Sequence, residues 1–523
     1  IAHVLSVSGL HVGFVAAGLI ALFRLLHLRP RLQWWILALI LGFYSMVTGL
    51  ETPVLRASVM ALVFLYGQLH GHRQDGLNSL SLALILALFY NPLDWFSAGF
   101  QLSFSATLGM VLLYRRFERA KILNRLPRMM RQGLAVCAAA QLGMLPAMVN
   151  AFNSVSVVSL LVNLVLVPLF SLLVAAEWIA VLLYVIWPAA AALVGWACTV
   201  TIRGILFCVR LINEIPFAAV NTVSWPLWLC LLWMVGLFVA SGSSGLKPGR
   251  RLRVLVAAAA CASLVLAAGW IWPRSLEIVM LDVGQAEAIV IRTPDRRNYL
   301  VDCGAPSGSE PLTSSRVATY LLKNGVTRLD GVFISHGDRD HIAELDVVTQ
   351  VFRPAWAMGG ADTNNGLPLN GTPYRPAATG TAVSLGAGAS IKILSAPSGE
   401  GNEASMLMAL SYGDFSMLFT GDAPQAREYA VLSGLGQIDV LKVGHHGSAD
   451  STSRALLEAA QPQAALISVG QSNNYGLPAP ELLSRLSAHN IDVYRTDRDG
   501  CIEITAALDR YVIRGLAAQE EQP

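Results

Sequence analysis

The sequence predicts a polytopic α-helical membrane domain followed by a soluble α/β domain that carries a cluster of metal-ligand side chains. Three observations predict it. The 523 residues are 54% hydrophobic and 14% charged, with mean hydropathy +0.54. That balance is too apolar for a soluble enzyme and implies several membrane spans. The net charge of +3 conceals a split, since residues 1–273 hold 18 basic and 6 acidic groups while residues 274–523 hold 19 and 28. The apolar runs end near Trp272-Pro273, which places the domains at 1–272 and 273–523. Finally, six consecutive residues contain His336, Asp338, Asp340 and His341.

In the first domain, apolar runs of near-spanning length are Val4–Phe23, Trp34–Gly49, Val54–Leu69, Leu77–Tyr90, Phe100–Tyr114, Leu134–Val149, Val155–Ala176, Trp178–Trp187, Ala189–Leu211, Leu227–Ala240 and Val254–Trp272. They predict about nine to eleven helices. Pro168 and Pro188 interrupt runs and leave the count between Val155 and Leu211 open.

Polar residues recur inside these runs: Ser6, Ser8, His11, Arg56, Gln101, Ser103, Ser105, Gln141, Asn163, Glu177 and Arg203. Such groups are costly in lipid and face a bundle interior or a water-filled path. Hydrogen bonding between helices accounts well for the serines and poorly for Arg56 and Arg203. His11, Arg56, Gln101, Gln141 and Asn163 are therefore the candidate channel residues. Gly9-x-x-x-Gly13 reads as a close helix contact.

Basic groups mark alternate loops: Arg24, Arg29 and Arg31, then Arg73, then the seven from Arg115 to Arg131, and finally Lys247 to Arg253. The loops between the first three groups hold only Glu51 and Asp94. Basic loops belong on the cytoplasmic side. An even number of crossings between Arg131 and Lys247 would then put the second domain outside the cytoplasmic membrane.

The second domain alternates short strands and helices. The expected strands are Glu277–Asp282, Ala288–Arg292, Asn298–Val301, Gly331–Ile334, Ser390–Leu394, Met406–Ser411, Ser416–Phe419, Val440–Val443, Ala464–Ser468, Asp492–Arg495 and Cys501–Thr505. The expected helices are Ser315–Asn324, Ile342–Gln350, Gln425–Leu432, Ser453–Ala460 and Ala479–Ala488. Asn364 to Thr381, rich in Gly, Pro and Asn, reads as a loop over or beside the site, and Ala517–Pro523 as a frayed tail. Seven cysteines with no C-x-x-C imply neither a zinc motif nor a disulfide framework.

His336, Asp338, Asp340 and His341 sit where a buried strand gives way to a helix, on a turn that can aim several side chains at one point. Imidazole suits zinc, and carboxylate suits harder ions such as manganese or magnesium. The competing reading is a solvated loop with Asp340 as N-cap. Two further strand ends favour the metal: Phe419-Thr-Gly-Asp422 delivers a carboxylate, and Val440-Leu-Lys-Val-Gly-His-His-Gly-Ser448 delivers His445 and His446.

These residues resemble the metallo-β-lactamase superfamily signature His-x-His-x-Asp-His. They are more similar to the hydrolase domain of ComEC-type DNA-internalization competence proteins, where Asp stands for the second His, as Asp338 does. Leu281-Asp-Val-Gly-Gln285, Leu300-Val-Asp-Cys-Gly304, Asn402-x-x-Ser405, Gly421-Asp422, His445-His446-Gly447-Ser448 and Tyr494-Arg-Thr-Asp497 follow in that family's order. Pro53-x-x-Arg56-Ala57, Gly99-Phe-Gln-Leu-Ser-Phe104, Gln141-x-x-x-x-Pro146 and Asn163-x-x-x-x-Pro168 resemble its competence region. So does Ile1–His11, which has no initiator Met and no basic leader and resembles an interior motif. That implies a fragment of a longer protein.

The resemblance implies an αβ/βα sandwich and a DNA-uptake channel joined to an external metal-dependent nuclease that degrades one strand. One or two divalent ions, manganese or zinc, are expected. His336 and Asp338 are assigned to one ion, and Asp340 and His341 to the other. Asp422 bridges, and either His445 or His446 completes the second set. Asp302 is expected to orient a ligand, with Asn402, Ser405, Lys442 and Ser448 around the centre. Expected partners are DNA, single-stranded in the channel and as the strand degraded at the external domain, membrane lipid, a DNA receptor and a cytoplasmic motor. One departure bears on turnover: the family's late Tyr-Gly-His-Pro-His-Pro reads Tyr475-Gly-Leu-Pro-Ala-Pro480 here, and Leu477 and Ala479 cannot bind metal or donate a proton. Two alternatives follow, a channel or scaffold with a vestigial hydrolase and a membrane-tethered hydrolase of a small molecule.

Overall fold

The structure, a computed structural model, describes residues 9–516 apart from 72–74, 214, 216–217, 243–245, 272–274, 305–314, 364–365, 400 and 472. Ser6, Ser8, Arg73, the Trp272-Pro273 junction, Asn364 and the tail from Ala517 lie outside the described residues. The chain divides into two compact units, Ile1–Leu266 and Ala267–Pro523.

The described residues of the first unit form ten helices: α1 (Gly9–Leu25), α2 (Pro30–Val47), α3 (Thr52–Leu69), α4 (Gly76–Tyr90), α5 (Ala98–Glu118), α6 (Arg128–Phe152), α7 (Ser159–Ile186), α8 (Pro188–Asn213), α9 (Leu227–Ser241) and α10 (Pro248–Ile271). Among them α3, α6, α7 and α8 are long and apolar enough to cross a membrane by length and composition, and α4 and α9 are shorter apolar helices. The two prolines that blurred the count act differently. Pro168 lies inside α7, so the runs on either side of Glu177 form one helix of 28 residues. Pro188 is the first residue of α8, where its missing N–H breaks no helical hydrogen bond.

Packing in this unit is set by small residues at one crossing. A Cβ added to Gly109 of α5 would lie 2.3 Å from the Ala139 carbonyl oxygen and 2.7 Å from Gly143 Cα of α6. The reverse holds too, with a Cβ on Gly143 falling 2.4 Å from the Ser105 carbonyl oxygen. The two backbones touch, which only glycine allows. The expected Gly9–Gly13 contact is half right. A Cβ on Gly9 would meet Ala57 at 3.2 Å, but Gly13 faces open space.

The polar residues of the spans separate into three kinds. Arg56 of α3 is held inside by hydroxyls of α5, donating from Nε to Ser103 Oγ at 2.7 Å and from Nη1 to Thr107 Oγ1. No carboxylate among the described residues pairs with it. Gln141 ties α6 to the next element through the Ser156 carbonyl and Ser159 Oγ, while Gln101 makes only a local bond to the Trp95 carbonyl. His11 and Asn163 are half-buried in α1 and α7. Glu177 and Arg203, by contrast, lie exposed on the outside of α7 and α8, so their place in an interior path is corrected. A two-stranded ribbon of β1 (Ser154–Ser156) and β2 (Ala219–Asn221) joins the α6–α7 and α8–α9 connections. The buried Asn153 side chain closes it by donating to Thr222 O and Ser224 Oγ.

The second unit is a sandwich of two mixed sheets. Its strands are β3 (Leu276–Met280), β4 (Ile289–Arg292), β5 (Asn298–Val301), β6 (Gly331–Phe333), β7 (Ala357–Gly359), β8 (Tyr374–Pro376), β9 (Ala382–Gly386), β10 (Ala389–Ser395), β11 (Leu407–Tyr412), β12 (Phe415–Phe419), β13 (Val440–Lys442), β14 (Ala464–Ile467), β15 (Asp492–Arg495), β16 (Ile502–Ala506) and β17 (Tyr511–Gly515). One sheet runs β17-β16-β3-β4-β5-β6-β7-β8 and the other β15-β14-β13-β12-β11-β10-β9. Pairing is parallel from β5 to β8 and from β12 to β15.

Alternation along each strand divides the core. Ile278, Met280, Phe333, Met417, Phe419 and Val440 fill the space between the sheets. Val279, Val332 and Ile334 face out, under α11 (Arg316–Lys323) and α13 (Leu345–Phe352). Leu418, Leu441 and Val443 face out on the other side, under α15 (Arg454–Ala460) and α16 (Pro480–Ala488). The order helix, sheet, sheet, helix is the expected αβ/βα sandwich. Single helical turns α12 (Arg339–Ile342), α14 (Gln425–Glu428) and α17 (Thr496–Asp499) follow β6, β12 and β15. The helix expected from Ile342 begins instead as α12, breaks, and resumes as α13. The expected loop from Asn364 to Thr381 contains edge strand β8.

The α5–α6 crossing generates a stability test. Gly109→Val should destabilise the unit by more than the ~1–3 kcal/mol of ordinary overpacking, because backbone rather than a mobile side chain stands in the way. Gly13→Ala should leave thermal unfolding in detergent essentially unchanged. Equal unfolding temperatures for parent and Gly109→Val would contradict the contact.

Candidate metal centre

The centre lies where parallel strands of both sheets end. From the first sheet, β5 leads into Asp302, and β6 into Ser335, His336 and the α12 turn bearing Asp340 and His341. From the second, β12 leads into Asp422 and β13 into His445 and His446. Close approach is built into the sequence at Gly304, where a Cβ would sit 1.5 Å from the Asp340 carbonyl oxygen. Asp302, His445 and His446 adopt φ of 57°, 48° and 50°, left-handed values that cost non-glycine residues energy and cluster at functional sites.

Three imidazoles are anchored through Nδ1 and present Nε2 inward. His446 Nδ1 lies 2.9 Å from the Ser468 carbonyl oxygen. A carbonyl only accepts, so this nitrogen carries the hydrogen and Nε2 keeps its lone pair. His341 Nδ1 lies 2.9 Å from Asp302 Oδ2, and His336 Nδ1 3.0 Å from Ser335 Oγ. Asp302 in turn accepts from the Ser335 N–H and hydroxyl, each at 2.7 Å. Asp340, His341, Asp422 and His446 bring one ligand atom each within 4.8 Å of one another. His341 Nε2 is 3.3 Å from Asp422 Oδ1, and His446 Nε2 is 3.3 Å from Asp340 Oδ2 and 3.7 Å from Asp422 Oδ2.

The remaining expected residues fall into place around this group. His336 Nε2 lies 3.5 Å from the half-exposed Asp338. His445 is also half-exposed and stands 3.9 Å from Asp422 Oδ2, beside Asn402 at 3.4 Å. Ser405 Oγ accepts from the Asp422 N–H at 3.1 Å, and Lys442 Nζ is 4.0 Å from Asp422 Oδ1. Ser448 is apart from them, its hydroxyl accepting only from the Asp450 N–H of its own turn. Asp338 and not Asp340 occupies the N-cap position of α12, and its side chain makes no capping bond. The carboxylates are thus not consumed in holding the helix.

The donor set fits a divalent cation. His336 Nε2, His341 Nε2 and Asp422 Oδ1 are buried without a hydrogen-bond partner among the described residues, which a folded protein rarely leaves uncompensated. Electrostatics agree. Burial resists charge on His341, yet Asp422 and Asp302 outweigh it and hold its pKa well above the ordinary value. Burial likewise resists charge on Asp422, but His341, His446 and Lys442 hold its carboxyl well below the usual range. Burial, reinforced by His341, pushes His336 down to about 4, leaving it neutral. In a metal-loaded centre the cation takes the role of the His341 proton.

Three contributors escaped the sequence reading: Ser335, whose N–H and hydroxyl hold Asp302, Ser468 and Glu287. Ser468 supplies a main-chain oxygen, which no side-chain pattern reveals. Glu287, 1% exposed, forms an ion pair with Lys442, 0% exposed. A lone acid in Ala286-Glu287-Ala288-Ile289, on the parity of the inward-facing Ile289 and Ile291, was the available signal.

The Competence protein family profile matches residues 1–243, and that of the Metallo-beta-lactamase superfamily matches residues 281–471. The chain is similar to ComE operon protein 3 of Bacillus subtilis, 29% identical over 96% of this chain and 67% of that one. Recombination protein 2 of Haemophilus influenzae is 26% identical, covering 98% and 69%. Competence protein ComA of Neisseria gonorrhoeae is 27% identical, covering 96% and 70%.

The four-ligand group should bind metal measurably. Asp340→Ala and Asp422→Ala are each expected to lower bound manganese or zinc at least about tenfold while the chain still unfolds cooperatively. Elemental analysis of the purified chain checks this, and equal metal in parent and variants would remove these carboxylates from the centre.

Proposed function

The chain belongs to the ComEC-type competence proteins, a competence membrane domain followed by a metallo-β-lactamase-like domain, and from that membership we propose that it carries DNA across the cytoplasmic membrane of a bacterium during natural transformation. In this reading the helical domain passes one strand, and the sandwich domain hydrolyses phosphodiester bonds of the other. The observation that carries the hydrolase is the set of buried, unpartnered atoms on His336, His341 and Asp422 at the meeting of two sheets.

Asp340, His341, Asp422 and His446 would hold one ion. His336 and Asp338 would hold a second, with Asp422 shared and His445 alongside. The mixed carboxylate and imidazole set suits manganese as well as zinc. Bound there, such ions lower the pKa of water and clamp phosphoryl oxygens. The chain's own residues do the rest. Asp302 keeps the His341 ring oriented through Nδ1, and the Ser468 carbonyl does so for His446. Ser405 steadies the Asp422 main chain. With 28 acidic against 19 basic groups in residues 274–523, the domain repels DNA over most of its surface, so contact is confined to a local groove.

Arg56 supports the channel. A cation held inside the helices by neutral hydroxyls, with no carboxylate among the described residues to offset it, suits a path for a polyanion. The orientation rests on the basic clusters. Four helices, α6 to α9, occupy the stretch from Arg128 to Ser241; with each crossing the membrane, the basic clusters before and after would lie on one side and α10 would lead outward. The hydrolase domain is then extracytoplasmic, facing a DNA receptor, and the basic side meets anionic lipid and a cytoplasmic motor.

Leu477 favours a second reading. It packs half-buried against the hydrophobic cluster under α15 and α16 where the family pattern has a histidine, as in a vestigial hydrolase. Arg56→Leu should abolish DNA uptake by a complemented competent cell while metal content is kept. Leu477→His should raise manganese-dependent cleavage by the purified chain. Uptake unchanged by Arg56→Leu would take that residue out of the path. No cleavage by either parent or Leu477→His, with metal bound, would establish the scaffold. Orientation is checked separately. Gln522→Cys, in a chain whose native cysteines are replaced, should react with an impermeant thiol reagent in intact cells stripped of any outer membrane. Labelling only after lysis would reverse the topology.

A further inference from the structure

The Glu287–Lys442 ion pair joins the two sheets directly beneath the metal ligands. Glu287 precedes β4 by two residues and shares the inward parity of Ile289 and Ile291; Lys442 ends β13 on the inward parity of Val440. The two charges therefore meet from opposite sheets in the otherwise apolar space between them, and both are almost wholly buried.

Glu287 is bonded onward to a candidate ligand, and Lys442 to the residue just before another. The Glu287 N–H donates to the Asp340 carbonyl oxygen at 2.9 Å, and the Glu287 carbonyl accepts from Gly304 at 2.7 Å. Lys442 Nζ donates to the Gly421 carbonyl at 3.3 Å and lies 4.0 Å from Asp422 Oδ1. A path thus runs from Asp340 through Glu287 and Lys442 to the Gly421 carbonyl, with Asp422 Oδ1 4.0 Å from Lys442 Nζ. Glu287 also approaches Asp302 and His341, but its carboxylate is taken by Lys442, so it is no ligand in this arrangement.

Stability alone does not explain such a pair. Desolvation offsets most of the attraction between two buried charges, and replacing both by apolar groups of similar size is often neutral for stability. Removing one alone strands the other and is severe. What the pair offers that an apolar contact cannot is a fixed direction and length.

We propose that Glu287 and Lys442 are positioning residues that set the separation of Asp340 and Asp422, and through it the affinity and geometry of the metal centre. This rests on the metal reading above. It requires that metal binding depend on the pair even when folding does not.

The test uses the full chain in detergent, with Co(II) as the probe. Glu287→Gln combined with Lys442→Met removes both charges together, at similar volume. The double variant should unfold near the parent temperature yet bind Co(II) about 10- to 100-fold more weakly, the range seen when groups supporting metal ligands are lost. Its visible absorption should shift as ligand geometry changes. Glu287→Asp keeps both charges and shortens the link by one methylene, so it should weaken binding in the same direction while the chain stays folded. This variant decides the matter if the double variant does not fold. Parent-like affinity and absorption in a folded double variant, or in Glu287→Asp, would show that the pair only fills space. A parent chain that binds no Co(II) would overturn the metal reading itself and the proposal with it.

Discussion

The second unit depends on one arrangement, the His341 ring held between carboxylates of two different sheets. Asp302 lies at its Nδ1 and Asp422 at its Nε2, at 2.9 and 3.3 Å. Neither carboxylate is tolerable in a closed interior without a counter-charge, and neither is the ring if charged alone. Each therefore requires the others, and their meeting demands that β5, β6 and β12 end at the same level. The buried Ser335, which serves Asp302 with both its N–H and its hydroxyl, reinforces the same constraint. The apolar layer between the sheets provides the cohesion, and this polar edge fixes how the sheets are placed.

The chemistry follows from what that edge leaves unsatisfied. The Ser335 hydroxyl, the Asp302 carboxylate and the Ser468 carbonyl occupy the outer nitrogens of His336, His341 and His446, so the inner ones converge toward Asp338, Asp340 and Asp422. A divalent cation satisfies all of them at once. The more exposed members, Asp338, Asp340 and His445, differ from the buried His336, His341, Asp422 and His446 in burial and not in type. The centre is thus graded from a closed side to a side open to solvent.

The helical unit is organised on a different principle. In lipid, apolar contact between helices brings no gain over contact with acyl chains, so close packing and hydrogen bonds decide which helices pair. Gly109 and Gly143 let α5 and α6 meet backbone to backbone. Arg56 gains its partners, Ser103 and Thr107, from the same α5, just before that crossing in the chain. A buried guanidinium satisfied by hydroxyls keeps its full charge, unlike one cancelled by a carboxylate.

The sequence by itself determined the two-part organisation, most of the strands and the stock of metal ligands. Apolar run length, period-two alternation and short-range clusters such as His336 to His341 are local quantities. Proximity along the chain also made Asp340 and His341 a pair before any fold was known. Only the tertiary structure decided between His445 and His446. Both follow β13, but only His446 has its Nδ1 anchored by Ser468 of the neighbouring strand. The same holds for the union of Glu287 with Lys442, for the contact of Gly109 with Gly143 where Gly9-x-x-x-Gly13 had been the expected site, and for the outward exposure of Glu177 and Arg203. In each case the local pattern states which face a residue takes. What stands opposite that face is set by strand order and helix pairing, which bring together residues far apart in the chain.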